Sequence, residues 1–177
     1  DLYYSLSTFE ITLPSPEMRA LRTNSTDYAS CIVLRKGDSI DSWKAASNAI
    51  IDHTCASAGV GVDIADIASL GDKVKGGLIK HSGKLSVLRS IDTDISKATQ
   101  NGRRGSATAF VNFFDPEIES IFALKSPRMP VEDRINDLSY GVKVNQLAYD
   151  RGQSGGVISL FSTRTAPKLL ELFYSDD

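Results

Sequence analysis

Few residues in this chain can do chemistry. Cys31 and Cys55 are its only cysteines, and His53 and His81 its only histidines. A zinc site is not expected, because His53 and Cys55 stand too close for the usual ligand spacing and no CxxC exists. Cys31, beside Ser30 in SCIVLRKGD, has two readings: a small buried hydrophobe in a strand, or a redox or proton-donating thiol. Cys55, near the end of a helical stretch, reads as core or surface packing. Three further stretches suit polar or anionic ligands. In NGRRGSATAF, residues 101–110, Arg103 and Arg104 stand between glycines. Arginine offers a planar fork of donors suited to phosphate, and glycine lets a backbone bend sharply around a ligand. Lys73 and Lys75, in ASLGDKVKGGLIKHSG, either meet phosphates or are simply solvated. Asp38 and Ser39 open a helix, as a cap or, with the free amides of the helix end, as a site for a sugar hydroxyl. No GxSxG, P-loop or kinase signature is present, and GVGVDI is not a GxGxxG leading into a helix, so a dinucleotide site is not supported.

The elements that position these residues follow from hydrophobic periodicity. FEITLP reads as an extended stretch after a short helix end. Residues 29–38, ASCIVLRKGD, read as a mostly buried strand. Residues 38–58 are predicted helical, with Ile40, Trp43, Ala46, Ile50 and Ile51 at helical spacing. GVGVDIAD reads as a strand, 68–83 as a loop without apolar period, and KLSVLRSIDTDISKATQ as a second amphipathic helix with Leu85, Leu88, Ile91 and Ile95 on one face. SATAFVNFF, 106–114, is a strand. Asp115 before Pro116 predicts a cap and a helix over PEIESIFALK. Residues 135–152 mix strand and helix. GVISLFS reads as a strand, and APKLLELFYS as a final helix. Alternating strands and helices predict an α/β fold, with the polar loops on the edge where such folds bind ligands. The 177 residues suffice for one domain with a core. A net charge of −2 argues against a basic nucleic-acid binder, so no direct nucleic-acid contact is expected. Apolar runs are too short to span a bilayer, DLYYSLSTFE is not a secretory signal, and two cysteines make no disulfide framework. The expected compartment is a reducing cytoplasm, with no membrane partner.

The order of these stretches resembles the large catalytic subunit of class I ribonucleotide reductases. STFEITLPSPEMRALRT, SCIVLRKGDSIDSWKAASNAI, AGVGVDI, LGDKVKGG, HSG and NGRRGSATAF carry the resemblance, and DPEIESIFALK, DLSYGVKVNQLAYDR, ISLFS and APKLLELFYSDD continue it over nearly the whole chain. The resemblance implies part of a ten-stranded α/β barrel, about one half-barrel, with effector-binding loops, over residues 1–177. It implies that Ser15, Ser30, Ala58 and Gly59 line the substrate site. Cys31 would be one of two reducing cysteines, giving a proton to the departing 2′-hydroxyl and then pairing as a disulfide. Asp38, Ser39 and Ile40 would form a specificity-effector site for a deoxynucleoside triphosphate or ATP. Residues 66–78 would be a first flexible loop touching that effector, through Lys75. Residues 99–106 would be a second loop, with Gln100 reading base identity and Arg104 and Gly105 on the substrate side. Ligand-dependent rearrangement of that loop would couple the two sites.

The pattern departs from the family in three places: Ala68 and Lys75 fall where effector-binding arginines stand, and NGRRG carries an arginine where a small apolar residue is usual. The radical cysteine of the finger loop, the second reducing cysteine and the C-terminal redox cysteines have no counterpart here. The resemblance therefore implies partners: a complementary fragment of the catalytic subunit, a metal-containing small subunit that supplies the radical, thioredoxin or glutaredoxin as reductant, and a second copy met through the 38–57 helix. No cofactor or metal is expected on this chain itself. Three origins stay open: a split reductase, a non-catalytic nucleotide-binding or structural derivative, and an excised part of an intact subunit.

Overall fold

A computed structural model describes residues 1–21, 23–24, 28–97, 99–100 and 103–175. Helix α1 (Leu2–Ser7) starts at Asp1, whose carboxylate accepts from the Tyr3 amide at 3.1 Å. Helix α2 (Ser15–Ala20) has proline in its first turn. Strand β1 (Cys31–Arg35) leads into the sixteen-residue α3 (Ile40–Cys55). Ser39 caps that helix, its Oγ accepting from the Ser42 amide at 3.1 Å. Strand β2 (Gly59–Asp63) follows, then a hairpin of β3 (Lys73–Val74) and β4 (Ile79–Lys80), helix α4 (Lys84–Lys97), and a second hairpin of β5 (Thr99–Gln100) and β6 (Arg103–Arg104). Strand β7 (Ala107–Asn112), α5 (Ile118–Ala123), β8 (Ser139–Lys143), α6 (Gln146–Gln153) and α7 (Pro167–Ser175) complete the chain. No described helix is long and apolar enough to cross a membrane.

The main sheet has the order β1-β2-β7-β8, all parallel, so spatial order follows chain order. Alternation along the strands divides it into two faces. Ile32, Leu34, Val60, Val62, Ala109, Val111, Tyr140 and Val142 meet Ile50 of α3, Leu88, Ile91 and Ile95 of α4, and Ile118 and Ile121 of α5 in one core. The opposite face starts with Cys31 and Val33, both exposed. Phe110 lies on that face between two glycines: a Cβ at Gly141 would fall 2.5 Å from its ring, and one at Gly61 3.3 Å. Lys143 on β8 donates to both oxygens of Asp63 on β2, at 3.2 and 2.9 Å, across the intervening β7. The fold is α/β with an open four-stranded parallel sheet; a closed ten-stranded barrel is not present among the described residues.

A buried ion pair fixes the turn after β7. Lys84 Nζ lies 2.6 Å from Asp115 Oδ2, with both side chains almost fully buried, and donates to the Ile67 carbonyl at 2.5 Å. Asp115 Oδ1 accepts from the Glu117 amide at 2.9 Å, and the Glu117 carboxylate accepts from the amides of Leu70 and Lys84. Thus Glu117 caps α4 from outside the helix.

Several expectations are corrected. β1 is a sheet edge, paired only with β2 among the described residues, and is not mostly buried; Val33 is 79% exposed because it points to the face opposite the helix-packed core. Residues 68–83 contain the β3–β4 hairpin. Leu85 lies at the rim of the α4 core face, whose place is taken by Val87. Asp115 caps a turn, and α5 begins only at Ile118. GVISLFS is not a strand: the described backbone there joins the end of the sheet through one hydrogen bond, Phe161 N to Phe114 O at 2.8 Å, and has no ladder to zip. Ile40, expected on the buried stripe of α3, is 60% exposed in the helix's first turn.

Two predictions follow from this packing. Lys84→Met leaves the Asp115 charge buried without its partner and should destabilise the chain by about 3–5 kcal/mol in urea unfolding. The double variant Lys84→Met/Asp115→Asn should recover part of that loss; equal midpoints for wild type and Lys84→Met would contradict the role given to the pair. Gly105, where β6 turns into β7, is buried so closely that a Cβ would sit 2.2 Å from Thr54 Cγ2 of α3 and 3.0 Å from the Ile95 carbonyl of α4. Gly105→Ala should therefore cost about 1–3 kcal/mol by overpacking, and a neutral result would contradict that close approach.

Candidate functional site

The residues after β1 and the β3–β4 hairpin build a cavity of about 330 Å³, lined by Asp38, Ser39, Ile40, Trp43, Val74, Lys75, His81 and Arg164. Ser39 and Ile40 come from the start of α3, whose first amides carry the positive end of the helix dipole. Lys75 is placed by the hairpin turn, where Lys75, Gly76 and Gly77 all have positive φ (50°, 69° and 91°), a run that favours glycine at the last two positions. His81 leaves β4 toward the cavity and is 8% exposed. Its Nδ1 accepts from the Gly83 amide at 3.0 Å, which leaves the proton of a neutral ring on Nε2, 3.4 Å from Asp38 Oδ1. The edge of the His81 ring meets Trp43 at 5.9 Å between centroids. Asp38 thus sits between His81 and Arg164, whose NH1 lies 3.0 Å from Asp38 Oδ2.

This cavity is held from three sides. The His81 amide donates to the Asp72 carbonyl at 2.8 Å, and Asp72 Oδ2 accepts from the Ser69 amide and from Ser162 Oγ. Ser162 brings the segment carrying Arg164 against the hairpin. One carboxylate opposed by Lys75 and Arg164 suits a ligand with both hydroxyl and anionic groups. Of the residues expected at an effector site, Asp38, Ser39, Ile40 and Lys75 come together here. The side chain of Gln100 lies outside the described set. Trp43, Val74, His81 and Arg164 were not expected. His81 drew attention only as a metal ligand, and Arg164 lies 126 positions from Asp38, with no local pattern to join them.

A second cluster lies at the start of β1 and β2. Cys31 pairs with Gly59 in register, and the Gly59 amide donates to the Ser30 carbonyl at 2.8 Å. A Cβ at Gly59 would lie 3.7 Å from Cys31 Sγ and 4.0 Å from Ser106 Oγ, so the absent side chain leaves space between the thiol and that hydroxyl. Cys31 and Cys55 are both free and exposed. In this chain Cys31 is thus an accessible thiol rather than a buried hydrophobe. Ala58 is 1% exposed, at the base of this cluster. Arg104 is held elsewhere: its guanidinium pairs with Asp137 and donates to Ser96 Oγ at 3.2 Å. Ser15 lies in α2, and its side chain is outside the described set. Ser106, inside the loop expected over residues 99–106 but given no role of its own there, lies beside Gly59.

A larger cavity, of about 650 Å³, lies between α3 and α4 and is lined by Trp43, Lys44, Asn48, Ser86, Val87 and Lys36 among others. Burial pushes the Lys36 ammonium below its usual pKa, with the charge of Asp94 acting in the opposite sense.

The sequence of residues 29–177 matches the family of the ribonucleotide reductase barrel domain. The chain is 37% identical over 175 residues to ribonucleoside-diphosphate reductase 1 subunit alpha of Salmonella typhimurium, and 36% identical over the same length to that of Escherichia coli. Each alignment covers 98% of this chain and 23% of the relative. The alpha subunit of the enterobacteria phage T4 enzyme is 33% identical over 174 residues, again 98% of this chain and 23% of the relative. The chain thus spans about a quarter of the length of these curated relatives. A parallel sheet wound in chain order, a reachable thiol at its edge and a match across residues 29–177 agree: the chain belongs to the ribonucleotide reductase family, as part of its barrel domain.

Proposed function

We propose that this chain works as part of the catalytic subunit of a ribonucleoside-diphosphate reductase, forming about one half of a ten-stranded barrel over residues 1–177. The observation that carries the reading is Cys31: an exposed free thiol at the start of a parallel strand, beside the gap at Gly59, in a chain of this family. In the proposed chemistry the Cys31 thiol gives its proton to the 2′-hydroxyl, which leaves as water. The two electrons for reduction of the ribose come from Cys31 and a second thiol, which end as a disulfide. That second thiol, and the radical that starts the reaction, come from outside this chain. Ser30, Ala58 and Gly59 supply the wall of the substrate site, and the uncovered face of the sheet, with Val33 and Phe110, suits the remainder of the barrel.

The cavity at Asp38 is the proposed specificity site. Its carboxylate suits a ribose hydroxyl, Lys75 suits a phosphate, and the first turn of α3 favours negative charge. The groove between α3 and α4, with Ile40 exposed at its rim, suits contact with a second copy of the subunit. A radical-generating small subunit and a thioredoxin- or glutaredoxin-type reductant complete the partners, and a deoxynucleoside triphosphate or ATP is the effector. The loop over residues 99–106 joins the two sites, with Arg104 exchanging its contacts to Asp137 and Ser96 for the substrate side.

Cys31→Ser tests the redox assignment. In the assembled enzyme it should abolish multiple turnover while leaving assembly and effector binding intact, measured by deoxynucleotide formation and by native mass spectrometry. Normal multiple turnover in Cys31→Ser would overturn the role given to this thiol.

A further inference from the structure

Arg164 lies beyond the expected effector residues, yet its guanidinium lines the Asp38 cavity. We propose that Arg164 is a ligand-binding residue of that cavity, exchanging the Asp38 carboxylate for an anionic oxygen of a nucleoside phosphate and so releasing Asp38 to a ligand hydroxyl. The inference rests on the reading of this cavity as a nucleotide site. Three observations support the exchange. Among the described residues the guanidinium makes one hydrogen bond, NH1 to Asp38 Oδ2 at 3.0 Å, so most of its five donors are unspent. The side chain is 47% exposed, against 15% for Asp38, so an incoming anion reaches the arginine more readily than the carboxylate. The segment carrying Arg164 is fastened without this ion pair: Phe161 stacks on Phe114 at 4.2 Å, its amide donates to the Phe114 carbonyl, and Ser162 Oγ donates to Asp72. Arg164 can therefore leave Asp38 while its backbone stays in place.

The charges agree. Asp38 faces Lys75, Arg164 and His81, a set that is cationic on balance even with a neutral imidazole. A phosphate supplies the missing negative charge, and His81 Nε2 stays beside Asp38 Oδ1 after the arginine departs. Among the described residues Arg164 is the only fork-shaped donor lining the cavity; Lys75 contributes a point charge.

The test is a set of titrations on the protein in its native assembly, with the four deoxynucleoside triphosphates and the matching deoxynucleosides as probes. Wild type, Arg164→Ala and Arg164→Lys are compared. Arg164→Ala should lose at least about tenfold in triphosphate affinity, while deoxynucleoside affinity holds or rises because Asp38 is freed. Arg164→Lys should recover part of the triphosphate affinity. Unchanged triphosphate binding in Arg164→Ala, or an equal loss for triphosphates and deoxynucleosides, would overturn the inference and leave the nucleotide reading standing. Failure of the wild type to bind any of the triphosphates would overturn that reading and the inference with it.

Discussion

The buried contact between Lys84 and Asp115 is the constraint on which the site depends. Two charges almost without solvent are tolerable only when each finds further partners. Lys84 finds the Ile67 carbonyl, and Asp115 finds the Glu117 amide. Those bonds tie together the end of β7, the turn after β2 and the first residue of α4. Glu117 extends the tie by holding Leu70 and Lys84 through their amides. The β3–β4 hairpin is therefore clamped at both ends, and its tip carries Lys75. Asp72 adds a connection to Ser162 and hence to the chain around Arg164. Val74, Lys75, His81 and Arg164 are carried by segments tied to this clamp, while Asp38, Ser39, Ile40 and Trp43 come from the end of β1 and from α3.

Strand β1 sets the distance between the two chemistries. Cys31 begins it and Asp38 follows its end. At the rise of an extended strand these positions stand roughly 20 Å apart. A ligand at Asp38 and a substrate at Cys31 are therefore too distant to touch through one side chain. In the proposed reading, communication between the two would pass through the segments that lie between them. The β5–β6 hairpin meets the Cys31 end: it enters β7 at Gly105, packed against Thr54 near the C-terminal end of α3 and Ile95 of α4, with Ser106 then beside Gly59.

Much of this architecture was legible in the sequence. Trp43, Ala46 and Ile50 announced the buried stripe of α3, and Leu88, Ile91 and Ile95 that of α4, because helical spacing survives whatever packs on it. Strand neighbours are not written in a strand. CIVLR has the same residues whether one of its faces is covered or both, so the exposure of Val33 could not be read. VISLF has strand propensity, but propensity forms no strand without a ladder, and only one backbone bond fastens it. Asp38, Ser39, Ile40 and Lys75 were assigned through the resemblance, and the cavity brings these positions together. His81 and Arg164 were illegible because their meeting with Asp38 is a product of the fold. Cys31 is the reverse case: its strand left burial and a redox or proton-donating thiol both open, the resemblance chose between them, and the thiol is exposed.

The most direct test of the central claim is cysteine mapping after a single turnover. The assembled protein would be given a ribonucleoside diphosphate with external reductant withheld, then alkylated and analysed by peptide mass. The account predicts a stoichiometric burst of deoxynucleotide, with Cys31 lost from the alkylated pool and recovered in a disulfide while Cys55 stays alkylated. Formation of the same product with Cys31 still fully alkylated would contradict it.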